Sequence, residues 1–159
     1  MNLPLITKII IALIVCVGLG FLSGYFTASS INTWYSELNK PFFNPPNWIF
    51  GPAWTLLYTL MAVAFALVWD SRTKIHLKSK AMKLFVAQFA LNLVWTPVFF
   101  GLHQIAIALL IIVFLWILIF KTMQAFKRVN MTSYYLMIPY LLWVSFATAL
   151  NASILYLNS

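Results

Sequence analysis

The chain has 159 residues, of which 64% are hydrophobic, 18% aromatic and only 8% charged. An ordinary soluble domain is about half apolar and about one quarter charged, so too few polar side chains are present here to cover a water-facing surface. The composition excludes a soluble globular enzyme, a disordered chain and a disulfide scaffold, and leaves an integral membrane protein. The ten Lys/Arg against two Asp/Glu give a formal charge of +8. Apart from Lys8 and Lys40, the cations fall in the stretches 72–83 and 121–128, between long apolar runs. That placement is a membrane-topology signal and argues against a nucleic-acid partner. The single Cys16 lies within an apolar run and cannot belong to a disulfide framework.

A helix needs about 20 mostly apolar residues to cross a bilayer, because lipid offers no partners to backbone N–H and C=O groups. Five stretches qualify, at about 5–28, 49–69, 81–101, 105–123 and 134–157, within one domain spanning 1–159. The first is read as a retained helix rather than a cleaved leader, and Gly20 and Gly24 have the GxxxG spacing that suits close helix packing. A loop at about 29–48 follows, shaped by Pro41, Pro45 and Pro46, with Pro52 just beyond it. A basic segment, DSRTKIHLKSK, joins spans 2 and 3. A tight turn at Gly101–Gln104 joins spans 3 and 4, and a second basic segment joins spans 4 and 5. All cations except Lys40 therefore gather on one side. The N-terminus is expected in the cytoplasm, and the proline-rich loop and C-terminus outside.

The sequence carries no acid/base pair, no metal-ligand cluster and no nucleotide motif, so no catalytic or metal residue is assigned. Glu37 and Asp70 fall on opposite sides of the membrane, as do His76 and His103. What the spans do carry is aromatic and amide side chains at helical spacing. Trp54, Tyr58, Met61, Phe65 and Trp69 share a face of span 2; Gln88, Asn92 and Trp95 share one of span 3. Trp143, Ala147, Leu150 and Asn151 share one of span 5. Span 4, with Trp116 its one tryptophan, reads as lipid-facing or buttressing. Three helices presenting flat side chains and amides, under a loop bearing Trp34, Phe42 and Phe43, suit a large planar guest. Ala62 and Ala147 would leave room for it. Asn47, the indole N–H groups and Lys40 are the candidate donors to its polar edge.

The segment W-Y-S-E-L-N-K-P-F-F-N-P-P-N-W-I-F-G-P-A-W-T-L-L-Y (34–58) resembles the TspO/MBR family of tryptophan-rich sensory proteins and translocator proteins. A-L-N-L-V-W-T-P-V-F-F-G (90–101) and P-Y-L-L-W-V-S-F-A-T-A-L-N (139–151) resemble its third and fifth helices. The resemblance implies an all-α bundle of five transmembrane helices, often a homodimer, for which Ala87 and Ala90 offer a small-residue contact face. It implies binding of porphyrins such as protoporphyrin IX and of isoquinoline-carboxamide and benzodiazepine-type compounds, with no obligatory cofactor. By motif it places the ligand contacts at Asn47, Trp48, Phe50, Gly51 and Trp54, at Asn92 and Trp95, and at Trp143, Ala147, Leu150 and Asn151. Trp34 and Tyr58 join them from the aromatic pattern. Some relatives degrade protoporphyrin in light.

Two departures stand out. Tyr156 is followed only by Leu157, Asn158 and Ser159, so the cation of the animal cholesterol pattern is missing and cholesterol binding is not supported. Ile107 and Leu110 stand in span 4 where drug-binding relatives can offer an aromatic and a small residue. A bacterial cell membrane is the expected setting, with the mitochondrial outer membrane as the alternative.

Overall fold

The computed structural model describes residues 3–159, the side chain of Phe26 excepted. It is all-α, with helices α1 (Leu5–Asn32), α2 (Trp34–Glu37), α3 (Phe50–Asp70), α4 (Ile75–Thr96), α5 (Ile105–Lys127), α6 (Met131–Leu136) and α7 (Ile138–Leu157). Five segments among the described residues are long and apolar enough to cross a membrane: Leu5–Tyr25, Asn47–Asp70, Ile75–Gly101, Ile105–Lys127 and Met131–Leu157. The five-span bundle expected from composition is the one observed.

The helix ends follow local chemistry. Thr33, at φ −112° and ψ −97°, separates α1 from the short α2. Pro46 leads into a single 3₁₀ turn, Asn47–Ile49, that feeds α3. Pro52 sits in the first turn of α3, where a missing N–H costs no hydrogen bond. At the end of α4, Pro97 opens a π-helical turn, Pro97–Gly101, closed by Leu102 N–H donating to the Pro97 carbonyl at 2.8 Å. Asn130 caps α6 by accepting from Ser133 N–H at 3.0 Å. The expected single fifth helix is two pieces that part at Met137, just before Pro139. The third helix starts six residues earlier than expected, at Ile75 against 81, because the basic segment continues the coil and its long side chains can reach water.

The packing runs in a ring. α1 lies on α3 and on the π turn, α4 on α5, α5 on α7 and α6, and α6 on α3. α3 and α7 touch little, and the interior between them is left open. The ring is fastened at both ends. At the basic end Lys8 Nζ meets Asp70 Oδ1 at 2.8 Å and lies 5.8 Å from the Trp69 ring centre. At the other end Asn158 accepts from Asn39 N–H at 3.0 Å, and its amide donates to the Asn39 carbonyl at 2.9 Å, tying the long loop to the C-terminus.

Candidate ligand cavity

The open interior is a cavity of about 500 Å³ within the range typical of small-molecule sites. Its walls differ in kind. α3 supplies Phe50, Trp54 and Tyr58, the end of α4 supplies Trp95, the π turn supplies Phe99 and Phe100, and α7 supplies Trp143 and Phe146. The fourth wall, from α1, mixes the small residues Gly20, Gly24, Thr27 and Ala28 with the larger Val17, Phe21, Tyr25 and Ile31. Trp54 stacks on Tyr58 with centroids 5.5 Å apart and meets Trp143 edge-on at 6.4 Å and 85°. Trp95 stacks on Phe99 at 5.4 Å. Such stacked and perpendicular pairs hold each ring at a fixed attitude.

Behind the rings runs a one-way hydrogen-bond relay. Tyr58 OH donates to Asn92 Oδ1 at 2.8 Å, Asn92 Nδ2 to Tyr140 OH at 3.0 Å, and Tyr140 OH to Gln88 Oε1 at 3.0 Å. All four residues are buried. A second link joins Trp95 Nε1 to Asn151 Oδ1 at 3.4 Å, and Asn151 Nδ2 to the Ile105 carbonyl at 3.0 Å. These bonds consume the amides of Asn92 and Asn151. Among the described residues, two buried side-chain polar atoms have no partner: Trp143 Nε1 and Gln88 Nε2. Trp143 lines the cavity and its indole N–H is one unpartnered donor there; the Trp54 indole N–H, in the same lining, makes no hydrogen bond among the described residues either.

Of the residues singled out from sequence, Phe50, Gly51, Trp54, Tyr58, Trp95, Trp143, Ala147, Leu150 and Asn151 line this one cavity. Asn92 stands behind Tyr58. Trp34 lies outside the lining and stacks on His103 at 4.2 Å, fastening α2 to the turn before α5, where His103 takes a φ of 56°. Asn47 and Trp48 are exposed in the 3₁₀ turn. Phe42 is fully exposed, Phe43 touches Phe146, and Ala62 is packed in the core away from the cavity. Lys40, considered as a donor to a guest, is already engaged: its ammonium donates to the carbonyls of Tyr35, Ser36 and Leu38 at 2.7–3.0 Å, closing the end of α2. Ile107 and Leu110 are exposed on α5 and leave the cavity unchanged.

The family resemblance implies a ligand held between the first helices and the fifth, but it names no contact residue on α1, where Gly20, Gly24, Thr27 and Ile31 recur at helical spacing and line the cavity. Sequence reasoning also passed over Tyr35, which is 1% exposed, plugs the end of the cavity against Phe50, Phe99 and Phe100, and donates to Asn44 Oδ1 at 2.6 Å. Burial pushes its phenol up to about 12, so it stays a neutral donor. Tyr140, three residues before Trp143 on the same face, was the other omission.

A sequence profile of the TspO/MBR family matches residues 12–157. The chain belongs to the TspO/MBR family. It is 43% identical over 155 residues to the tryptophan-rich protein TspO of Chlorobaculum tepidum, covering 95% of this chain and 98% of that one. It is 39% identical to the tryptophan-rich protein TspO of Archaeoglobus fulgidus, covering 97% and 99%. Against the human translocator protein it is 36% identical over 119 residues, covering 74% of this chain and 70% of that one. For this TspO/MBR protein, membership and the five apolar helices together make an integral membrane protein.

Proposed function

We propose that the cavity takes a tetrapyrrole of the protoporphyrin IX class, and that the protein acts as its sensor, scavenger or transporter. Isoquinoline-carboxamide and benzodiazepine-type compounds, being flat and mainly apolar with a polar edge, suit the same space. The observation that carries this reading is the aromatic lining of one cavity, in which Trp54, Trp95 and Trp143 come together from three helices. A planar apolar guest slides between rings, and an acceptor at its edge can take up an indole N–H that no protein group uses. The test is a titration of the purified protein with protoporphyrin IX, followed by tryptophan fluorescence. Quenching should saturate at one guest per chain and fall away in Trp54→Leu/Trp143→Leu; unchanged quenching in that variant refutes the assignment.

The setting we propose is a bacterial cell membrane with the N-terminus in the cytoplasm. The support is the positive-inside distribution of the cations. A homodimer is proposed through the outward face of α4, where Ala87 and Ala90 are exposed beside Val86 and Val94.

A second reading, light-driven degradation of the porphyrin, is favoured by the contact of Trp54 with both Trp143 and Tyr58, oxidisable rings in one chain of contacts. Illumination of the complex should then remove the Soret band with a defined product. Bleaching no faster than that of free porphyrin in detergent rules it out.

A further inference from the structure

At the basic end of the bundle, away from the cavity, a groove of about 430 Å³ runs between α4 and α5. It is lined by the cations Lys80, Lys121 and Arg128 and by apolar residues, of which Leu77 and Ala125 lie toward the basic end and Leu84 and Phe120 lie deepest. The order follows from the helices. α4 rises from the basic end and α5 descends to it, so Lys80 lies about 6 Å nearer that end than Leu84, four residues along at about 1.5 Å each. Phe120 precedes the cations of α5 and is likewise the deeper residue. The three cations thus lie nearer the water side, and the deepest residues of the groove are apolar.

The charge there is uncompensated. The chain has two carboxylates. Glu37 is at the opposite end, and Asp70 is taken by Lys8. Lys78 donates to the Ser71 carbonyl and Lys127 lies over the Tyr134 ring, whereas the side chains of Lys80, Lys121 and Arg128 have no hydrogen bond or ion pair among the described residues. All three are exposed, and Phe120 is 44% exposed.

We propose that this groove is a binding site for an anionic phospholipid of the surrounding leaflet, its phosphate held by Lys80, Lys121 and Arg128 and an acyl chain lying along Leu84 and Phe120. Charge complementarity selects an anionic head group. The apolar floor below the cations selects a molecule that carries its own chain, as basic pockets between membrane helices do. Each cation also gains by neutralisation at a low-dielectric boundary, where screening by water is weakest.

The experiment is native mass spectrometry of the full chain released from detergent with equal amounts of phosphatidylglycerol and phosphatidylcholine of matched chains. Phosphatidylglycerol should be retained about tenfold better, and Lys80→Gln/Lys121→Gln/Arg128→Gln should erase that preference. Arg72→Gln/Lys74→Gln/Lys83→Gln, which removes the same charge outside the groove, should keep it. Phe120→Ala, which keeps every cation, should lower retention of phosphatidylglycerol a few-fold. Equal retention of the two lipids, or equal loss in both triple variants, overturns the site. Displacement of the lipid by millimolar glycerol phosphate also overturns it, because a head group without chains would then suffice.

Discussion

The ring of Tyr58 lies directly against the Cα of Gly20, so closely that a methyl group there would overlap the ring carbons. This contact brings α1 onto α3 at the floor of the cavity and holds the Tyr58 hydroxyl on Asn92. The glycine is needed for its lack of a side chain; its φ is ordinary. Gly20→Val should therefore displace Tyr58 and destabilise the protein by about 1–3 kcal/mol. Gly18, with open space at its Cβ position, is the control. Gly18→Ala should change stability by less than about 1 kcal/mol. Thermal unfolding in one detergent compares the two.

Tyr140 bridges two buried amides, Asn92 and Gln88. Tyr140→Phe keeps the ring and deletes the bridge, leaving both amides short of a partner. The expected cost is about 1–2 kcal/mol, somewhat more than a typical interhelical hydrogen bond in a membrane because two groups are affected. Unfolding midpoints of Tyr140→Phe, Gln88→Leu and the double variant separate the terms. The double variant should lose less than the sum of the singles.

Trp143 offers the guest both a wall and a donor. Trp143→Phe retains most of the wall and removes the N–H, so porphyrin affinity should fall up to about tenfold. Trp143→Leu removes the ring as well and should fall further. Equilibrium titration of the two variants resolves the wall from the hydrogen bond.

Lys8 is buried and answered by Asp70 alone among carboxylates. Asp70→Asn leaves an unanswered ammonium near the bilayer edge and should lower Tm. Lys8→Met/Asp70→Asn, which removes both charges, should recover much of the loss. Tm values of the single and double variants decide it.

The bundle was legible because length and apolar content alone select helices in lipid, and the cations mark the connections. The faces of α3, α4 and α7 were legible because Trp, Tyr and Asn at steps of three and four stand out against Leu and Ile. The individual residues of the α1 wall were not. Gly20 and Gly24 were read as a packing motif, and one of them is: Gly20 meets Tyr58, while Gly24 has nothing near its Cβ position and borders the cavity. A glycine that lets a ring approach and a glycine that leaves a void look identical in sequence. Trp48 and Asn47 show the converse. Their residue types suit a binding loop, yet the 3₁₀ turn set by Pro46 leaves both exposed. The early start of α4 was missed because cations read as loop, although long stems let them ride on a helix.

Blocking the cavity tests most directly the claim that rings from separate helices enclose one planar guest. Ala147 lines the cavity, and Leu142 on the same helix is 64% exposed. The measurement is the number of protoporphyrin IX molecules bound per chain in Ala147→Phe and Leu142→Phe. Ala147→Phe should bind none at concentrations that saturate the natural sequence, and Leu142→Phe should bind one. Equal binding by both variants would place the guest elsewhere on the protein and contradict the account.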